Sequence, residues 1–377
     1  MDDRKIVRTG LTKSPMSVGV KAANTGFTRS PATDGREATN TSGMYHMNDR
    51  KVGAVLLACL TALVLSAVLA LGLGAVKFSP AEVFQGLFDP QNDTVRQILL
   101  YVRLPRLLAA LSAGAALAVS GVIIQTVLAN PLASPGVIGV NAGAGLFATA
   151  AMALLPGAFW AVPISAFLGA LLTVFVVYGI ARKAGASRTT LILSGVAVSS
   201  FMIAGINTLS NLYPDILRGL RDFQIGGFAG VSMRQLLPAG VIIVAGILTA
   251  LIFGGELSVL SLGEGTARSL GLNVSLFRLL FLAAAAALAG AAVSFSGLLG
   301  FIGLIVPHMA RLILRGSGKR MLIGTSGMMG AAFLTLCDTF ARTLFSPGEL
   351  PVGILTAYLG VPLFMWLLYK DRRRRRD

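Results

Sequence analysis

Ionisable residues are scarce in this chain of 377 residues: Asp, Glu, Lys and Arg make up 13 % of it, while 55 % is hydrophobic. A soluble globular protein carries about 25 % charged residues, so about half the usual charge is missing. A chain this apolar has too little polar surface to dissolve. A soluble enzyme, a disordered chain and a disulfide-stapled domain are excluded together, and an integral membrane protein remains. Cysteine is scarce too. Cys59 and Cys337 both fall in apolar runs, form no spaced framework, and read as small buried hydrophobes. Histidine is limited to His46 and His308, neither with a carboxylate or cysteine at ligand spacing. No metal-site signature and no catalytic constellation follows. Gly143-Ala144-Gly145 lies inside an apolar run, where it reads as helix packing and not as a phosphate cradle.

The gaps between charges outline the spans. Residues 52–76, 189–214, 235–255, 279–307 and 321–337 carry no ionisable residue, and 107–181 is a run of 75 without one. A helix needs about 20 apolar residues to cross the hydrocarbon core, so the long run holds about three crossings. It breaks at Asn130-Pro131-Leu132-Ala133-Ser134-Pro135 and again between Pro156 and Pro163. The run from Leu279 carries Ser294-Phe295-Ser296-Gly297 and Gly300 near its middle, and reads as one long span or two short ones. Parity decides. Arg50 and Lys51 precede the first span, while Lys370 and Arg372 to Arg376 follow the last. Cytoplasmic flanks collect Lys and Arg, so both ends belong inside and the count is even. Ten spans place 17 Lys/Arg inside and 8 outside from Met47 onward. The net charge of +16 thus orients a bundle and does not indicate nucleic acid. The expected fold is an all-α integral membrane protein of ten transmembrane helices over 47–377. Residues 1–46 are polar and aperiodic, and read either as a disordered cytoplasmic tail or as sequence upstream of a later start at Met44 or Met47.

Acids are nearly absent from the spans. Asp338, with Arg342 four residues on and able to pair with it, is the clear exception. Ion-coupled transporters keep acids in their spans, so a proton- or sodium-coupled carrier is the weaker alternative, and an energy-supplying partner is expected. Three connecting segments stand out. Arg103-Leu104-Pro105-Arg106, just before the second span on the outer side, forms a cationic ridge suited to carboxylates on another protein, or an anchor at head-group level. Asn130 to Gly136 is an uncharged, proline-bracketed turn. Residues 262–272, between the sixth and seventh spans, have glycines at both ends and mixed polarity, which suits a short surface helix docked into a partner. A faint echo links Arg106-Leu107-Leu108 through Ser120-Gly121 with Arg278-Leu279-Leu280 through Ser296-Gly297, the pattern of an inverted repeat.

Taken in order, several motifs resemble one family. They are Arg103-Leu104-Pro105-Arg106, Ser120-Gly121 with Gln125, Asn130-Pro131-Leu132-Ala133, Gly263-Glu264 with Ala267-Arg268 and Leu270-Gly271, Gly300-Phe301-Ile302-Gly303-Leu304-Ile305-Val306-Pro307-His308 with Arg311, Asp338 with Ala341-Arg342, and Glu349-Leu350-Pro351-Val352-Gly353. Over residues 50–370 the chain is similar to the permeases of ATP-binding-cassette importers for iron-siderophores, haem and cobalamin, the FecCD type. The resemblance implies a ten-span, cobalamin-permease-like fold of the type II importers in the plasma membrane of a bacterium. It implies a permease dimer, two cytoplasmic ATPase subunits holding ATP-Mg, and an extracytoplasmic binding protein, with no cofactor on this chain and no enzymatic activity of its own. Gly263, Glu264, Ala267, Arg268, Leu270 and Gly271 would couple to the ATPase. Arg103, Arg106 and Arg342 would meet glutamates of the binding protein. Ser187, Thr189 and Thr190 would lie near the cytoplasmic gate. A ferric siderophore is the expected cargo, with haem and cobalamin as alternatives.

Overall fold

The computed structural model describes residues 49–74, 76–88, 93–185, 187–314, 316–344 and 348–374; the expected polar tail 1–46 lies outside the described residues. Every regular element among them is helical. In chain order these are α1 (Asp49–Gly72), α2 (Pro80–Phe88), α3 (Asp93–Gln97), α4 (Leu104–Val127), α5 (Val140–Leu154), α6 (Ala161–Lys183), α7 (Arg188–Leu212), α8 (Leu217–Ile225), α9 (Met233–Ile252), α10 (Gly254–Ser261), α11 (Glu264–Ser269), α12 (Val274–Ser296), α13 (Ile302–Ile313), α14 (Lys319–Thr343) and α15 (Val352–Arg374). Seven helical stretches are long and apolar enough to cross a membrane: those ending α1 and α4, and α6, α7, α9, α12 and α14. Three shorter apolar helices, Val140–Leu154, Ile302–Ile313 and Val352–Trp366, accompany them.

The charge-free runs break where proline and glycine stand. After α4 the chain turns at Asn130, whose side-chain oxygen accepts the Leu132 N–H at 2.9 Å. It passes through a short 3-10 turn, Pro135–Ile138, and enters α5 from Gly139 at φ 86°. Pro163 falls in the first turn of α6, where a missing N–H leaves no intrahelical acceptor unmet. The ambiguous run from Leu279 is two helices, because α12 stops at Gly297 with φ 68° and α13 starts after Phe301.

One expectation is corrected. Arg103 and Arg106 do not lie in a connecting segment; the helix runs through them from Thr94 to Val127. The passage includes a π-helical stretch, Ile98–Arg103, in which the Leu104 N–H bonds back five residues to the Leu99 carbonyl. Pro105 lies directly after this widened turn, at the start of the α-helical ladder, so its lost donor falls where the ladder is already rewired.

The α4 helix is the axis of the bundle, buried almost throughout from Leu107 to Val127 and packed against α12, α13 and α14. In lipid, apolar side chains gain little by meeting one another, so helices hold by close packing and internal hydrogen bonds. The sequence supplies both. A Cβ on Gly121 would lie 1.9 Å from the Gly303 carbonyl oxygen, and one on Gly114 would lie 2.2 Å from that of Gly330. Backbones therefore touch at both crossings. Ser120 Oγ donates to the Ala285 carbonyl of α12 at 2.7 Å. Pro307 inside α13 leaves the Gly303 carbonyl without its i+4 donor. Gln125 of α4 supplies the replacement, its Nε2 donating to the Leu304 and Gly303 carbonyls at 3.2 and 3.4 Å while its Oε1 accepts from Arg311 at 2.7 Å. By contrast α1 packs on α14 alone to any extent and exposes Leu57, Leu60, Val64, Leu65 and Val68.

Candidate functional site

The charges left inside this apolar body gather at its two ends. Arg106 starts α4, and Gln125 lies 19 residues on, about 28 Å at 1.5 Å per residue. Arg278 is the fifth residue of α12, whose far end, Ser296, reaches the Arg106 neighbourhood.

At the Arg106 end, three arginines converge. Arg103 Nη1 and Nη2 donate to the Leu71 and Val76 carbonyls, and its guanidinium lies 4.2 Å over the Phe78 ring. Arg342 Nη2 donates to the Ala70 carbonyl. Ala70 and Leu71 belong to the last turn of α1, whose terminal carbonyls lack intrahelical donors and carry the negative end of the helix dipole. Two buried cations thus close the end of the least-buried helix. Arg106 instead takes carboxylates. Its Nε donates to Asp338 at 2.9 Å and its Nη1 to Glu349 at 2.7 Å. Asp338 and Arg342, expected to pair four apart on one face, stand at 3.9 Å, so the shorter partner of Asp338 comes from 232 residues away. This set borders a cavity of about 510 Å³ lined by Arg106, Asp222, Phe223, Phe228, Phe295 and Glu349. Its rim is a backbone knot: Gly227 N–H donates to Ser296, Leu298 N–H to Phe223 and Gly353 N–H to Gly226, at 2.8, 2.8 and 3.2 Å. A Cβ on Gly353 would lie 1.7 Å from the Ile225 carbonyl oxygen.

The opposite end carries the segment 262–272. It forms the short helix α11, entered from Gly263 at φ 107° and left through Gly271 at φ 82°. Glycine is required at both places because other residues rarely adopt such angles. Ala267 is fully buried, while Leu262 and Leu270 stand exposed on either side. Glu264 Oε1 accepts from Arg268 at 2.7 Å, and its Oε2 from Arg278 of α12 at 3.0 Å. The Arg278 hydrogen bond, followed by the nearby charges of Arg278, Arg268 and Arg188, holds the Glu264 carboxyl below the usual carboxylate range against a burial effect of opposite sign. Arg278 is the buried partner of Glu264 that sequence reading missed. In the sequence it stands out only as the start of the Arg278-Leu279-Leu280 echo, since its acid partner sits 14 residues upstream. Ser187 caps α7, its Oγ accepting the Thr190 N–H at 3.0 Å, and Thr190 Oγ1 returns a bond to the Ser187 carbonyl at 2.8 Å. Thr189 lies exposed between them.

Among the described residues no group of three or more His, Cys, Asp and Glu side chains stands in metal-holding arrangement. His308 lies within α13, and His46 lies outside the described residues. Both cysteines are buried and free.

The comparisons with known proteins agree on one family. The FecCD transport family matches residues 62–370. The chain is 37 % identical over 341 residues to the hemin transport system permease protein HmuU of Yersinia pestis, covering 87 % of this chain and 99 % of that one. It is 37 % identical over 336 residues to the Fe(3+)-citrate import system permease protein YfmD of Bacillus subtilis, again 87 % and 99 %. A solved metal-chelate type ABC transporter in an inward-facing conformation superposes with a TM-score of 0.76 at 32 % identity, covering 84 % of this chain and 99 % of that chain. With these matches, the chain belongs to the FecCD transport family and is a transport subunit, with ATP hydrolysed on separate ATPase subunits.

Proposed function

We propose that this chain imports a ferric siderophore as the membrane-spanning half of an ATP-driven importer. The observation that carries the coupling part of this reading is α11: a short helix hung between two left-handed glycines, with Leu262 and Leu270 exposed beside it. Exposed leucines flanking an ionic helix call for a protein cover, and a cytoplasmic ATPase subunit is the cover an importer needs. Gly263, Glu264, Ala267, Arg268, Leu270 and Gly271 make that contact. In this arrangement all ten apolar helices cross the bilayer, both termini face the cytoplasm, and two permease subunits, identical or homologous, enclose the pathway. Two ATPase subunits carry ATP-Mg, and this chain binds no cofactor. Ser187, Thr189 and Thr190, at the capped start of α7, flank the cytoplasmic gate.

Docking of the extracytoplasmic binding protein falls at the Arg106 end. Arg103 and Arg342 are engaged by α1 carbonyls, so they act in docking by holding the rim in shape. Arg106 has an exchangeable partner, because Glu349 is half exposed and a carboxylate of the binding protein can replace it. A second cargo, haem, is favoured by the likeness to the hemin permease.

One uptake experiment tests the reading. Cells carrying the full importer are offered labelled ferric siderophores, ferric citrate, haemin and cobalamin, with and without ATP depletion. Siderophore uptake that stops on ATP depletion and is lost in R103E/R106E is expected. Uptake surviving ATP depletion but lost with an ionophore returns the ion-coupled alternative. Undiminished uptake in R103E/R106E removes the docking role, and a preference for haemin replaces the cargo.

A further inference from the structure

The geometry points to Arg278 as the residue through which movement of α11 enters the bundle, by way of Glu264. This rests on the coupling reading of residues 262–272 and adds the receiving side, which that reading leaves open.

The two oxygens of Glu264 face different bodies. Oε1 takes Arg268, one turn along the same helix, and Oε2 takes Arg278, on α12. The two pairs differ in surroundings. Arg268 is 65 % exposed and Glu264 39 %, whereas the Arg278 side chain is 5 % exposed. An ion pair between exposed side chains is worth little, because water and salt screen it. A pair with one partner already taken out of water is stronger, and losing one member leaves a buried charge without compensation. The link from α11 to α12 is therefore stiffer than the link inside α11.

The backbone leaves α11 free to pivot about that link. Gly263 and Gly271 have positive φ, and a Cβ on either would meet nothing within 4 Å. Among the described residues, the buried Ala267, the Glu264–Arg278 pair and the Gly263 N–H on the Leu260 carbonyl join α11 to the body. Beyond Arg278, motion has rigid routes. The α12 helix joins α6 through Tyr178 Oη donating to the Ser275 carbonyl at 3.1 Å, and joins the axis α4 through Ser120 and Ala285. The charge of Arg188, the first residue of α7, also acts on Glu264. Arginine suits the post better than lysine, because its planar, always-charged fork meets a carboxylate in a fixed geometry. Arg278 is on this account a positioning residue: it touches no cargo and no nucleotide, and fixes where α12 goes when α11 moves.

The test uses the complete importer, this chain with its ATPase and binding protein, in vesicles. ATP hydrolysed and labelled ferric citrate or haemin imported are measured together, so that the readout is cargo moved per ATP. In R278E the ATPase should co-purify and hydrolyse ATP as in the wild type, while cargo per ATP falls about tenfold, the size of a typical coupling between sites. The reciprocal swap E264R/R278E should recover most of that loss, and the neutral R278Q should fall between. A purely structural staple would instead lower assembly and hydrolysis together and leave cargo per ATP unchanged, which overturns the proposal. So does wild-type cargo per ATP in R278E, or a reciprocal swap as uncoupled as its parents. A variant with 262–272 scrambled separates the two levels: if it imports normally, the coupling reading of the segment fails, whereas failure at Arg278 alone leaves that reading standing.

Discussion

The two ends of the bundle hold their charges in opposite ways. At the Arg106 end the cations are buried and each is bound to something fixed: α1 carbonyls for Arg103 and Arg342, Asp338 for Arg106. Gly226, Gly297 and Gly353 there leave no room, and three segments of backbone bond to one another. At the Glu264 end the ion pairs are half exposed, Gly263, Gly265 and Gly271 stand in open space, and Arg278 and Ala267 are sunk into the body. One end is built as a lock and the other as a joint. A membrane bundle needs such a division, because helices that slide in lipid have no hydrophobic force to return them to register. Fixing α1, α4 and α14 at one end gives motion at the other a point to act against.

The largest effect should come from unlocking the buried pair. Asp338→Asn keeps the shape and removes the charge, leaving Arg106 and Arg342 inside the bundle with the half-exposed Glu349 as their nearby acid. Breaking a buried ion pair from one side costs about 3–5 kcal/mol, and the lower figure applies because Glu349 remains. A markedly lower unfolding midpoint of the purified chain in detergent is expected. Glu349→Gln should cost under about 1 kcal/mol, being exposed and screened. Equal midpoints for the two variants would mean that the Arg106 end is not locked by Asp338.

Next in size is a pair of glycines. Gly353→Ala puts a methyl carbon 1.7 Å from the Ile225 carbonyl oxygen, so backbone must move. Overpacking of this kind costs about 1–3 kcal/mol. Gly265→Ala, inside α11, meets nothing within 4 Å and should be neutral or favourable by up to about 1 kcal/mol through helix propensity. Detergent melts of the two single variants check the contrast directly; matching shifts would erase the distinction between a tight end and an open one.

Charge spacing made the spans legible because lipid tolerates no unpaired charge, and prolines and glycines made their breaks legible because they remove donors or adopt angles others avoid. The turn at Asn130 and the hinge glycines of 262–272 follow from those local rules. Partnerships did not. Asp338 reads as the partner of Arg342, since sequence displays neighbours four apart, yet Arg106 arrives through the fold from the other side of the chain. Arg103 reads as an outward ridge because nothing local says that the last carbonyls of α1 will need a donor there. Gln125 reads as one motif position until Pro307, 182 residues later, is seen to leave a carbonyl open.

The smallest effect concerns the joint, and pH exposes it. The Glu264 carboxyl has an ordinary value of 4.5, lowered in the folded chain chiefly by the Arg278 hydrogen bond. A carboxyl lowered on folding lends stability that is fully present above 4.5 and is lost as pH falls through the lower, folded value. The Glu264–Arg278 link should therefore persist to pH values where an ordinary glutamate is already protonated. Wild type and Glu264→Gln should differ in cargo moved per ATP at pH 7 and at pH 5, and in unfolding midpoint by a small, constant amount over the same range. The two midpoint curves should close only below pH 4.5. Arg268→Ala should leave both the midpoint and that closing point nearly in place, since an exposed i,i+4 pair is worth about 0.3–0.5 kcal/mol. If instead Arg268→Ala moves the closing point up to an ordinary glutamate's and Arg278→Gln does not, the carboxylate is held by its own helix, and the joint has no buried half.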